Sequence, residues 1–232
     1  MSNLGDGLVW YFAFLFSLCF HEGAHALAGY KLGDDTAFQG GQVSLDPRPH
    51  IKQEPFGTVV IPIFTFLSSG WMFGWASAPY DPFWAMKYPK RSALVSLAGP
   101  AANLIIVIAC AVIMRVGLVF NFFESVDWMN YGEIIASTSA GLNHAFAQML
   151  SVFFSLNILL FTFNLLPLPP LDGSGIVPFF LKEDTSQKYM EFIHNPALLM
   201  IGLFLAWNIS GYIFDPIHTC FVNIMYMGVA NY

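Results

Sequence analysis

The chain has 232 residues, 56% of them hydrophobic and 10% charged, against roughly 45–50% and about 25% in an ordinary soluble domain, so a soluble globular fold is a poor fit and a membrane protein a good one. Its formal charge of -6, with 9 Lys and Arg scattered through short loops, provides no basic stripe to neutralise phosphates and argues against a nucleic-acid partner. Three cysteines, Cys19, Cys110 and Cys220, stand in apolar stretches without C-x-x-C spacing, which suggests neither a disulfide framework nor a thiolate metal site.

In chain order, Met1 to Gly7 carries Asp6 and no basic residue, unlike the positive start of a signal peptide, so the first apolar stretch is expected to persist. Leu8 to Tyr30 has the ~20 residues that a spanning helix needs. The loop Lys31 to Phe56 follows, within which GGQVSLD, residues 40–46, and the residues after Pro49 are expected to form a short hairpin or edge strand. Gly57 to Ala78 is apolar but broken by Pro62, Gly70 and Gly74. A basic connector, Lys87 to Arg91, leads to a clean span over Ala93 to Val119. Asn121 to Glu133 reads as a loop or interfacial stretch anchored by Trp128 and Tyr131. The next span, about His144 to Leu166, ends in Pro167, Pro169 and Pro170, which remove backbone donors and clash with the preceding turn. After the polar stretch Lys182 to Asn195, Ala197 to Phe214 is a last span and Ile217 to Val229 an interfacial tail. The expected fold is an all-α integral membrane protein forming one domain over 1–232. It is a bundle of about four to six transmembrane helices, with a short β-hairpin or re-entrant element after the first helix.

Within the first span stands His21-Glu22-Gly23-Ala24-His25. Residues four apart share one helical face, so both imidazoles can reach a single metal ion, with Glu22 beside them as general base. Ionisable groups inside a span are unfavourable by about 2.5–3.5 kcal/mol each for the charged types, and three within five positions call for a compensating cation. A catalytic zinc takes three protein ligands and one water, so a third ligand is needed. Asp172 is the best candidate: it follows the unwound run Asn164 to Leu171 and precedes Gly173, although an Asp-Gly pair also simply begins turns.

These two elements, His21 to His25 in an early span and Asn164 to Gly173 closing a later one, resemble the signatures of the site-2 protease family of intramembrane zinc metalloproteases. Ala98-Gly99-Pro100-Ala101-Ala102-Asn103 is similar to that family's middle-helix element. Val43 to Pro47, His50-Ile51, Gly57-Thr58, Gly70-Trp71 and Gly74-Trp75-Ala76 follow the order of its compact prokaryotic branch without a PDZ domain. The likeness covers about residues 8–180, the core, leaving C-terminal helices over 181–232. Two positions depart from the pattern: Ser174 where many members carry a second Gly, and Ser77 where a basic residue is expected.

The resemblance implies one Zn2+ per chain held by His21, His25 and Asp172, with Glu22 and Asn164 catalytic, Asn164 lying near the substrate carbonyl. It implies a zinc metalloendopeptidase whose partners are the lipid bilayer and a transmembrane protein substrate. A membrane metal transporter and a catalytically silent zinc-binding regulator are the alternatives. Asn103 and Asn157 read as structural interhelical donors, and His50, His144, His194 and His218 as loop or interface residues.

If His25 and Asp172 meet at one metal, Gly57 to Ala78 must enter and leave by one face, because a full crossing would put the two elements on opposite sides. Lys31, Arg48, Lys52, Lys87, Lys90, Arg91, Lys182 and Lys188 then share one side and Arg115 alone takes the other. By the positive-inside rule the active site is expected to open toward the cytoplasm, and the resemblance to the prokaryotic branch implies a prokaryotic plasma membrane.

Overall fold

A computed structural model describes residues 4–139 and 141–228. Met1 to Asn3 of the N-terminal reading, and Val229 at the end of the expected tail, lie outside the described residues. Four described helices are long and apolar enough to cross a membrane. They are α1 (Leu4–Leu32), α6 (Pro89–Val119), α7 (Leu142–Asn164) and α10 (Pro196–Tyr226). Between them lie α2 (Thr36–Gln39), α3 (Pro47–Gln53), α4 (Ile61–Ser69), α5 (Pro82–Lys87), α8 (Asp172–Ile176) and α9 (Glu183–Ile193).

Contacts between helix ends fix an alternating up-and-down arrangement, in which α1 and α7 run one way and α6 and α10 the other. Arg91 Nη1 donates to Leu32 O (3.3 Å), joining the start of α6 to the end of α1. Gln148 Nε2 donates to Asp6 Oδ1 (3.0 Å), joining the start of α7 to that of α1. Arg115 donates to the carbonyls of Met225 and Met227 (2.9 and 2.6 Å), joining the end of α6 to that of α10. Ala13, Phe14, Val107, Met114, Phe154 and Ile158 interlock in the core. Without a hydrophobic drive between helices in lipid, such close van der Waals packing and interhelical hydrogen bonds hold a bundle together. In its most apolar stretch α7 is 61% buried and α10 only 17%, which makes α7 the central helix and α10 the lipid-facing edge.

The segment after α3 goes out and comes back. A π-type turn, Phe56–Val60, runs into α4, fourteen residues in all (five and nine), or ~21 Å at ~1.5 Å per residue, too short to cross. The chain reverses at Gly70, and Trp71 then packs on Trp10 (4.8 Å between ring centroids) and Tyr131 (5.2 Å), near the far end of the bundle. Ten residues later Asp81 N donates to Asp34 Oδ2 (3.0 Å), just beyond the end of α1. From Trp10 to Leu32 the helix rises ~33 Å, about the full reach of ten residues. Trp71 to Asp81 is therefore nearly fully extended, and Ser77 Oγ donating to Glu54 Oε1 (2.9 Å) ties its exit to the segment's entry.

Three sequence expectations change. GGQVSLD forms turns and the residues after Pro49 continue a helix, rather than either forming a strand, because Asp46 accepts from Arg48 N as an N-cap and Pro47 opens α3. The β element lies later in the chain, where a loop was expected. There β1 (Phe123–Asn130) pairs antiparallel with β2 (Glu133–Ser137), with Phe123 opposite Ser137 and Ser125 opposite Ile135. The expected tail from Ile217 is the continuation of α10, which passes through Pro216 without ending.

Candidate active site

Helical spacing sets the first half of the site. His21 and His25, one turn apart on α1, bring their rings to 4.7 Å between centroids and their Nε2 atoms to 3.0 Å. Asp172, the first residue of α8, closes the triad: its Oδ2 lies 3.1 Å from His21 Nε2 and its Oδ1 3.3 Å from His25 Nε2. One ligand atom from each of these three residues falls within 4.8 Å of the others, and they form the only such His/Cys/Asp/Glu group among the described residues.

Asp172 reaches this position because the chain unwinds after Asn164 and folds tightly back. A Cβ on Gly173 would stand 2.3 Å from the carbonyl oxygens of Leu165 and Leu166, so only glycine lets α8 lie this close to the end of α7. Ser174, the departure from the family pattern, is buried, and its Oγ donates to Leu171 O (2.8 Å). Ser77, the other departure, spends its hydroxyl on Glu54.

The arrangement suits a divalent cation. Each imidazole has its Nδ1 engaged on the outer side, His21 with Asn103 Oδ1 (2.5 Å) and His25 with Val95 O (2.7 Å). Both partners only accept, so both Nδ1 atoms carry the proton, and in the neutral imidazoles that bind a metal both Nε2 lone pairs point inward. Two lone pairs 3.0 Å apart repel unless a cation lies between them. Tetrahedral zinc with Zn–N of about 2.0–2.1 Å separates its ligand atoms by about 3.3 Å, close to all three edges here. Asp172 Oδ2, buried and without a hydrogen-bond partner, is the unpaired acceptor that such an ion would satisfy.

Glu22 is buried and, with the triad, lines a largely apolar cavity of about 990 Å³. Asn164 lines it too, with its Nδ2 donating to Leu160 O (3.0 Å) in its own helix. The returning stretch Trp71 to Tyr80 forms one wall, and α10 contributes Trp207 and Phe214. Asn103, read from sequence as a structural donor, also touches His21. That contact carried no local sequence signal, since the two residues are 82 positions apart. Neither His50 nor His218 is a surface loop residue: both are buried, His50 bonding Ser44 O (3.1 Å) and His218 bonding Ser155 Oγ (2.9 Å).

A helix bundle that carries His-Glu-x-x-His on one span and meets a distant aspartate at an unwound turn defines a membrane-embedded metallopeptidase. The sequence profile of peptidase family M50 matches residues 9–209, and the chain belongs to that family, the site-2 protease type of zinc metallopeptidase. It is 41% identical over 202 residues to "Putative zinc metalloprotease YwhC" of Bacillus subtilis, covering 86% of this chain and 81% of that protein. It is 28% identical over 207 residues to "Putative zinc metalloprotease Rip2" of Mycobacterium tuberculosis, covering 89% and 70%. The Rip2 of Mycolicibacterium smegmatis is 24% identical over 232 residues, covering 100% and 79%. No solved structure matches the chain. The family match extends past Lys182, beyond the reach of the resemblance seen in sequence.

Proposed function

We propose that the chain cleaves peptide bonds within or near transmembrane segments of membrane proteins, with His21, His25 and Asp172 holding the zinc. The observation that carries this reading is the convergence of those three ligand atoms beside Glu22 in an apolar cavity within the bundle. Zinc, when bound, polarises the scissile carbonyl and lowers the pKa of water toward about 7. The Glu22 carboxylate accepts the proton of the attacking water and returns it to the departing amine. Asn164, which lines the same cavity, donates an amide hydrogen to the carbonyl oxygen as negative charge develops there.

A helical peptide bond has its carbonyl occupied, so the substrate must be unwound when it is cut. The extended stretch Trp71 to Tyr80 is suited to receiving it. Phe73 N donates to Thr65 Oγ1 (3.0 Å) and Trp75 N to Gly57 O (3.1 Å), both away from the cavity. Successive residues of an extended chain alternate in direction, so Gly74, Ala76 and Ala78 present their backbone groups the other way, for pairing with a substrate strand. Eight of the nine basic residues fall at the end of the bundle shared by the triad, which favours a site opening toward the cytoplasm.

Glu22→Gln tests the reading. With a transmembrane substrate in detergent or vesicles, cleavage is expected to fall to background while zinc content stays near that of the wild type. Retention of cleavage would remove Glu22 as the base.

A further inference from the structure

The hydrogen bonds behind His21 continue into the bundle as a chain with one permitted direction. Asn103 on α6 and Asn157 on α7 are both fully buried. Asn157 Nδ2 donates to Phe153 O (2.8 Å) on its own helix and to Ser17 Oγ (2.8 Å) on α1. Asn103 Nδ2 donates to Asn157 Oδ1 (2.8 Å), and Asn103 Oδ1 faces His21 Nδ1 (2.5 Å).

The polarity of each amide follows from the one before it. A backbone carbonyl only accepts, so Asn157 must present its NH2 to Phe153 O and hence its oxygen to Asn103. Asn103 must then present its NH2 to Asn157 and its oxygen to His21. His21 is left to donate Nδ1–H, which keeps its Nε2 lone pair on the side of His25 and Asp172. His25 is fixed differently, by the carbonyl of Val95, which no side-chain change removes.

We propose that Asn103 and Asn157 are positioning residues that lock the tautomer and ring orientation of His21. Through them, a carbonyl of α7 sets how tightly α1 holds zinc. This rests on the triad being the zinc site, and it extends that reading to Asn157, which lines neither the triad nor the cavity. Groups that orient a metal-bound histidine typically change metal affinity by about 10–100-fold when removed.

The experiment compares zinc affinity, by chelator competition with zinc alone, in purified wild type, Asn157→Leu, Asn157→Asp and His21→Ala. Asn157→Leu keeps the volume but breaks the chain, and zinc affinity is expected to fall about 10-fold or more. In Asn157→Asp a buried, protonated carboxyl can still donate to Phe153 O and accept from Asn103, so affinity is expected to stay close to wild type. A packing role would rank these two variants the other way, because leucine fills the core without burying a polar group. Unchanged affinity in Asn157→Leu, with His21→Ala losing zinc, would overturn the relay and leave the site intact. Unchanged affinity in His21→Ala would overturn the site itself. A second measurement does not depend on the variants folding: the nitrogen NMR shifts of His21 in zinc-free wild type should report the proton on Nδ1, and a proton on Nε2 would overturn the proposal.

Discussion

A Cβ placed on Gly99 would stand 2.3 Å from His25 Nε2, and 2.5 Å from the same atom of His21. α6 thus presses bare backbone against the Nε2 atoms of His21 and His25, and the Gly-Pro of Ala98 to Asn103 is where that approach occurs. Alanine in a helix interior is ordinarily favoured over glycine by about 1 kcal/mol, so Gly99→Ala should not weaken the helix itself. Zinc content is nevertheless expected to drop, and cleavage to fall by about 100-fold or more, as displaced catalytic geometry commonly entails. Metal analysis beside a cleavage assay checks this, and normal zinc content in a folded Gly99→Ala protein would contradict it.

Asn164 differs from the triad in what its loss should change. Its amide bonds within α7 and lines the cavity, so it is free of the zinc triad. Asn164→Ala is expected to leave zinc content unaltered and to lower kcat by about 100-fold, the magnitude typical of one lost oxyanion donor. Single-turnover cleavage rates measure it, and an unchanged rate would remove Asn164 from the chemistry.

The wall of the cavity makes a separate prediction. Ala76→Pro removes one backbone donor from the returning stretch on the side opposite the bonds at Phe73 and Trp75. Cleavage efficiency is expected to fall about 10-fold through KM, with zinc content unchanged. Efficiency equal to wild type would mean that substrate does not pair with this edge.

Topology can be read by labelling. In a background without Cys19, Cys110 and Cys220, single cysteines at Asp35 and Tyr80 should react with an impermeant reagent from the cytoplasmic side, and one at Trp128 in β1 from the opposite side. Asp35 and Tyr80 reacting from opposite faces would contradict the out-and-back path.

How much of this was legible in the sequence depends on how local each signal was. His21, Glu22 and His25 share one helical turn, so their convergence follows from spacing alone. Asp172 was reachable because the proline run announces an unwound turn, but its approach to α1 depends on Gly173, whose packing against Leu165 and Leu166 has no one-dimensional signature. Asn103 looked like any interhelical amide until α6 was seen crossing α1 at the histidines. The hairpin of β1 and β2 escaped because Glu124, Asp127 and Trp128 interrupt its apolar alternation, so Asn121 to Glu133 reads as loop. The strand expected over residues 40–46 is absent for a local reason: Asp46 caps a helix that Pro47 opens, which turns the chain out of extended geometry.

The most direct test of the account is zinc analysis of purified wild type beside Asp172→Ala, since this residue lies 147 positions beyond His25 and joins it only if the fold is right. The wild type should hold close to one zinc per chain and the variant far less, with cleavage lost. Full zinc occupancy in a folded Asp172→Ala protein would contradict the three-ligand site on which the proposed chemistry depends.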